Sequence, residues 1–200
     1  VYAWAMIAGF LAMGAAGALG ERRGLSKLLL LVGVGIFALA FALMSLAFEL
    51  GAYSVSIFIA GVVVFFVGFN LHEPIMQSVA SKFALANERG AALGVFNAFG
   101  YGGSFLGGLV SGLAWEFLSM LELTVVLLII ICAWFVLLCF LKSPSDFKNL
   151  YLALDTKLDT SALSSHKGIV EIYTNSTQLV IKYDSKIIDE KALKGLLKLF

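Results

Sequence analysis

Residues Leu28–Phe48 read LLLLVGVGIFALAFALMSLAF, 21 consecutive side chains with no ionisable group among them. A bilayer core about 30 Å thick needs roughly 20 apolar residues of helix to cross it, so this stretch predicts a membrane span. Four stretches of similar character accompany it: Val1–Leu19, Ser54–Phe83, Gly90–Trp115 and Leu121–Leu141. Charge ends all five in turn, at Glu21-Arg22-Arg23, Glu49, Lys82, Glu116 and Lys142. The span from Ser54, about 30 residues, would measure ~45 Å as a helix and must tilt or protrude. None alternates apolar and polar residues as a β-barrel strand does. The first lacks the basic leading segment of a signal peptide. The fold class expected is mainly α, a polytopic helical membrane bundle with five spans.

Composition agrees. Hydrophobic residues make up 60% of the chain and charged residues 14%, with a mean hydropathy of +0.97. Soluble domains run about 45–50% apolar and about 25% charged, so a wholly soluble protein is excluded. Scarce proline beside abundant glycine and phenylalanine excludes collagen-like and disordered chains. Charge is unevenly spread: residues 1–141 hold 5 Lys/Arg and 6 Asp/Glu, residues 142–200 hold 9 and 7. That step predicts a bundle over 1–141, a linker over 142–149 and a small domain over 150–200.

Loop charge sets the expected orientation. Arg22, Arg23 and Lys27, then Lys82 and Arg89, and then the tail fall on one side, while the connections near Glu49 and Glu116–Glu122 hold no Lys or Arg. The positive-inside rule puts the basic side in the cytoplasm. Tyr2, Trp4, Tyr53 and Trp115 then fall at the outer ends, where interfacial rings belong. Cys132 and Cys139, seven apart on the last span, lie about 10 Å apart along a helix axis, too far for a disulfide, and read as small hydrophobes.

Three constellations stand out. In Asn70-Leu71-His72-Glu73-Pro74, an ionisable residue deep in a span points to function by default. Pro74 removes a backbone hydrogen bond and is expected to kink the helix, freeing a carbonyl near Asn70. Beside it Glu73 can take and release a proton, and His72, about 100° round the helix, is a relay, a substrate contact or interhelical glue. The fourth span carries rows of small residues, Gly100, Ser104, Gly108 and Gly112 beside Gly103, Gly107 and Ser111, expected to form a helix-packing seam. The connection Gly17-Ala-Leu19-Gly-Glu21-Arg22-Arg23-Gly24-Leu-Ser-Lys27 reads as a charge-paired turn. Nothing in the pattern suggests a metal site, a cofactor, an enzyme's catalytic set or nucleic-acid binding.

These residues resemble the C-terminal half of a major facilitator superfamily transporter. The loop pattern Gly-x-Leu-x-acid-Arg-x-Gly followed by a basic residue is matched by Gly17, Leu19, Glu21, Arg22, Gly24 and Lys27. The stretch Phe69–Ser78, then Arg89–Val95 and the glycine-rich span are similar to helices ten and eleven of bacterial drug–proton antiporters. They are closer to YajR-type transporters, which carry a glutamate where Glu73 stands; His72 and Pro74 depart from that pattern. The resemblance implies helices eight to twelve of a twelve-helix protein, to which the lack of Met at position 1 is suited. It implies a partner N-terminal half, a small-molecule substrate, protons and a bacterial inner membrane. The function implied is proton-coupled efflux by alternating access, with the Glu21/Arg22/Arg23 loop, Gly24 and Lys27 as a cytoplasmic gate. The alternative is a non-transporting anchor carrying a ligand- or partner-binding module.

In the tail, Leu150, Leu152 and Leu154 alternate as a half-buried strand would, as do Ile169–Thr174 and Leu179–Tyr183 around the turn Asn175-Ser176-Thr177. A short helix is expected around Thr160–Ser165. Asp189 is placed to cap a second one with Leu193, Leu196, Leu197 and Phe200 on one face. The order β-α-β-β-α predicts a ferredoxin-like unit without its last strand. No cysteine follows Cys139, so soft-metal binding there is not expected, and His166 reads as an exposed loop residue.

Overall fold

The computed structural model describes residues 2–22, 24–153, 163–174 and 177–197. Among them, five helices are long and apolar enough to cross a membrane: α1 Tyr2–Arg22, α2 Ser26–Glu49, α3 Val55–Phe83, α4 Arg89–Phe117 and α5 Met120–Phe140. Gly24 and Gly51 sit in the left-handed region (φ +65° and +71°), which glycine enters without steric cost. They turn the chain at the α1–α2 and α2–α3 corners. The second corner is tied by Ser54 Oγ, which donates to the carbonyls of Ala47 and Gly51. Ser119 and Glu122 form a reciprocal capping box at the start of α5, satisfying two orphan amides.

α3 is the central helix, packed against both α1 and α2, and α2 packs in turn on α5. The apolar core lies toward the tail end of the bundle, where Ala16, Leu29, Leu30, Val34, Ile75, Val79 and Leu138 meet. Lipid offers no hydrophobic drive between helices, so close backbone approach through small residues does much of the work. The approach is seen at four glycines. A Cβ at Gly9 would lie 2.5 Å from Asn70 Nδ2, and one at Gly33 2.9 Å from His72 Nδ1. One at Gly61 would lie 2.7 Å from Met44 Cγ and 3.2 Å from the Ala40 carbonyl, and one at Gly68 2.8 Å from Ile36 Cγ2.

The expected seam on α4 is not made within this chain. A Cβ added at Gly100, Gly103, Gly107, Gly108 or Gly112 meets nothing within 4 Å, and α4 has no buried residue. Ser104 and Ser111 turn their hydroxyls back onto Gly100 and Gly108 of their own helix.

The tail follows a 3-10 turn at Pro144–Asp146. Strands β1 Phe147–Ala153, β2 Ile169–Thr174 and β3 Gln178–Asp184 form one antiparallel sheet in the order β1-β3-β2. β1 and β2 are therefore parallel to each other, with β3 running the other way between them. The register sets Leu150 and Ile172 on either side of Ile181, and Asn149 and Glu171 on either side of Lys182. β1 begins at Phe147, inside the expected 142–149 linker. Lys148 and Asn149 are polar, which hides the strand from an apolar count, yet they pair with Tyr183 and Lys182.

Leu150, Leu163, Ile181, Tyr183, Ile188 and Leu193 form the tail core. Helix α6, Glu190–Leu196, covers this face, and Asp189 accepts from the Ala192 amide at 2.6 Å as its N-cap. Lys186 binds Asp146 at 2.7 Å, and that carboxylate raises the ammonium above the ordinary lysine value. Of the helix expected at Thr160–Ser165 only residues 163–165 are described. Leu154, Asn175, Ser176 and Phe200 also lie outside the described residues.

Gly61→Val is expected to lower stability by about 1–3 kcal/mol through overpacking against the Ala40–Met44 backbone. Gly107→Ala, on an open face, is expected to be neutral or to stabilise by up to about 1 kcal/mol through helix propensity. Thermal unfolding in detergent checks both.

Candidate functional site

α3 runs through Asn70–Pro74 without a break, so the expected interruption is a local loss of one hydrogen bond rather than a gap in the helix. Pro74 has no amide to give the Asn70 carbonyl. A cavity of about 110 Å³, bordered by Ala16, Gly17, Gly20, Ser26, Pro74, Ile75 and Ser78, adjoins that position. Asn70 Nδ2 donates to the Phe66 carbonyl at 2.9 Å and lies against Gly9 of α1.

The neighbouring residues part company. His72 is 5% exposed, wedged against Gly33 and flanked edge-on by Phe37 and Trp134 at 5.7 and 5.4 Å. Neither ring nitrogen makes a hydrogen bond of good geometry among the described residues; the Leu30 backbone is the one polar group close enough to act on the ring, too poorly aligned to count as a full partner. Glu73, one residue on, is exposed, as are Phe69 and Gln77 on the same face. Helices α2 and α5 thus enclose the histidine and leave the carboxylate open. Gln77 was not singled out in the sequence, nor were Asn97 and Tyr101, which are likewise exposed on α4. Their only signal was a polar group at membrane depth.

The basic loop is engaged in the scaffold. Lys27 Nζ donates to the Cys139 carbonyl at 2.7 Å, filling an orphan acceptor at the C-terminal end of α5, where a cation also opposes the helix dipole. Ser26 Oγ donates to the Gly20 carbonyl at 3.1 Å, doing the same for α1. Leu19 packs on the membrane core, Gly17 is exposed, and Gly24 makes the turn. Arg23 and the side chains of Glu21 and Arg22 lie outside the described residues, so the charge pairing expected of them is not described.

The contact that sequence reading missed joins the tail to the α3–α4 connection. Glu171 accepts the Ala86 amide on both carboxylate oxygens, at 2.9 and 3.1 Å. Its cross-strand neighbour Lys182 donates to the Ala84 carbonyl at 2.9 Å and lies 6.0 Å from the Phe147 ring. Phe147 meets Phe83 edge-on at 5.3 Å. Lys182 is 4% exposed. Burial pushes its ammonium below the ordinary lysine value; Glu171 pulls it back up and the nearby Arg89 presses it further down. Residues 84 and 86 lie between helices, where backbone groups lack ladder partners, and the sheet supplies them. No group of three or more His, Cys, Asp and Glu able to hold a metal occurs among the described residues.

A bundle of membrane-length helices with exposed polar residues along them, a carboxylate beside a proline and a clamped basic loop marks a polytopic membrane protein. The sequence bears this out at the level of family. A model of the Major Facilitator Superfamily matches residues 1–174, and the chain belongs to that superfamily of membrane transporters. Comparison with curated proteins finds no match.

Two outcomes follow from the geometry. A buried polar group without a well-aligned hydrogen bond costs up to about 1–3 kcal/mol, so His72→Leu is expected to raise the unfolding midpoint in detergent. A fall instead would mean that the ring nitrogens hold a partner worth more than that. Glu171→Ala is expected to speed amide hydrogen exchange across residues 84–88, with the interior of α3 unchanged. Unchanged exchange at Ala86 would contradict the clamp.

Proposed function

We propose that this chain forms the C-terminal half of a proton-coupled antiporter that exports a small molecule by alternating access. Its five helices correspond to helices eight to twelve of a complete facilitator, in which the cavity lies between two halves related by a pseudo-two-fold axis. The observation that carries the reading is the open carboxylate of Glu73. It sits 10 residues, about 15 Å, from the tail-side end of α3, on a face shared with Gln77 that α1, α2 and α5 leave uncovered. An ionisable side chain at membrane depth faces a bundle interior or a wet cavity, not lipid. The adjacent α4, with no buried residue and a continuous row of small residues, supplies the flat surface on which a second bundle packs or rocks.

In this mechanism Glu73 loses its proton when the cavity opens to one side and regains it from the other. Asn70 and the carbonyl freed by Pro74 give polar contacts beside it, and His72 holds the wall behind. The loop from Gly17 to Lys27 closes the cavity on the basic side. The loop charges support placing that side and the tail in the cytoplasm of a bacterial inner membrane. Parallel β1 and β2 with β3 between them support a ferredoxin-like module of YajR type.

The test is transport of amphipathic dyes in proteoliposomes bearing the complete transporter, driven by a pH gradient. Glu73→Gln is expected to abolish coupled flux with insertion and folding intact. Undiminished pH-dependent flux in that variant ends the assignment.

A further inference from the structure

A second cavity, about 310 Å³, lies where the helix ends meet the tail sheet. That volume is at the lower end of the range of small-molecule sites. Its polar lining comes from Ser26 at the start of α2, Lys82 at the end of α3, Arg89 at the start of α4, and Asn149 and Lys182 on the sheet. Three cations thus converge and no carboxylate lines the space among the described residues. Glu171, across the strand from Lys182, has both oxygens committed to the Ala86 amide, and Asp184 faces Lys142 at 3.6 Å. Lys82 and Arg89 make no ion pair among the described residues, and Arg89 Nε is buried with no partner. Lys182 spends one donor on Ala84 and keeps two.

Gathering three cations, one buried and two half-buried, around one space without a counter-ion is costly, and an oxyanion offsets that cost. A guanidinium fork with two ammoniums suits a tetrahedral oxyanion with several acceptor oxygens better than a single-atom anion. From this arrangement we propose that Lys82, Arg89 and Lys182 bind a phosphate group in the cavity between the membrane helices and the tail. The cavity borders the ends of the membrane helices, so the phosphate comes from a lipid headgroup or from solution. Binding bridges α3, α4 and β3, reinforcing the clamp on the α3–α4 connection.

The test uses the chain in a phosphate-free maltoside detergent, with acetylation of each lysine followed by mass spectrometry. Millimolar inorganic phosphate, a short-chain phosphatidylglycerol and chloride at matched ionic strength are compared. Lys82 is expected to react about tenfold more slowly with ligand, as for a site about nine-tenths occupied, while Lys191 and Lys194 on α6 are unaffected. Protection by inorganic phosphate identifies a soluble phosphate; protection by the lipid alone identifies a headgroup. Arg89→Gln is expected to remove the protection, and if that variant does not fold, the wild-type footprint decides alone. Equal protection by chloride, or protection by neither phosphate source, overturns the proposal.

Discussion

Hydrocarbon supplies no hydrogen-bond partner to a polypeptide, so each backbone polar group in the span must find one inside the protein. Everything in this bundle is arranged around a central helix, α3, that carries a proline and three ionisable residues, His72, Glu73 and Lys82. Its stability is not hydrophobic in the usual sense, since lipid is as apolar as leucine. It rests on contact made possible where Gly9, Gly33, Gly61 and Gly68 let neighbours come within the space a methyl group would fill. The same close approach buries His72 and, by helix geometry, turns Glu73 outward. A buried histidine and an open carboxylate are two faces of one helix.

The ends of the bundle face the opposite problem, because the last turns of each helix leave carbonyls without donors. Two residues of one turn answer it: Ser26 bonds Gly20 and Lys27 bonds Cys139. These bonds tie α2 to α1 and to α5. A basic loop residue therefore has a structural task before it has any part in gating. That task explains why lysine is present there independently of any rule about topology.

The tail is attached by chemistry rather than by its linker alone. One face of the sheet is an ordinary small core beneath α6. The other presents Phe147, Lys182 and Glu171 to the α3–α4 connection, and gives its free amide and carbonyl groups the partners they lack. A sheet this small is marginal by itself, and docking supplies a second buried face. The connection between α3 and α4 is thereby tied to the tail sheet.

The five spans, the strand at Ile169–Thr174 and the Asp189 cap were legible in the sequence. Each depends on the hydropathy or side-chain period of a few consecutive residues, and local order is enough to read them. Glu73 was legible for the same reason, as a charge inside an apolar run. The α4 glycines were equally visible but misleading as a seam within this chain, since a small residue permits close contact without creating it. Alternation in β3 announced a strand with one buried face, yet residues Leu179–Asp184 are all buried. The second face is covered by segments far away along the chain, with Lys182 and Glu171 lying 98 and 85 residues from their partners. No local pattern encodes such a pairing. The sequence alone determined where the chain crosses the membrane and where it extends. Only the tertiary structure decided which glycines are contacts, which lysines are caps and which cations share a cavity, because those properties belong to pairs of residues brought together by folding.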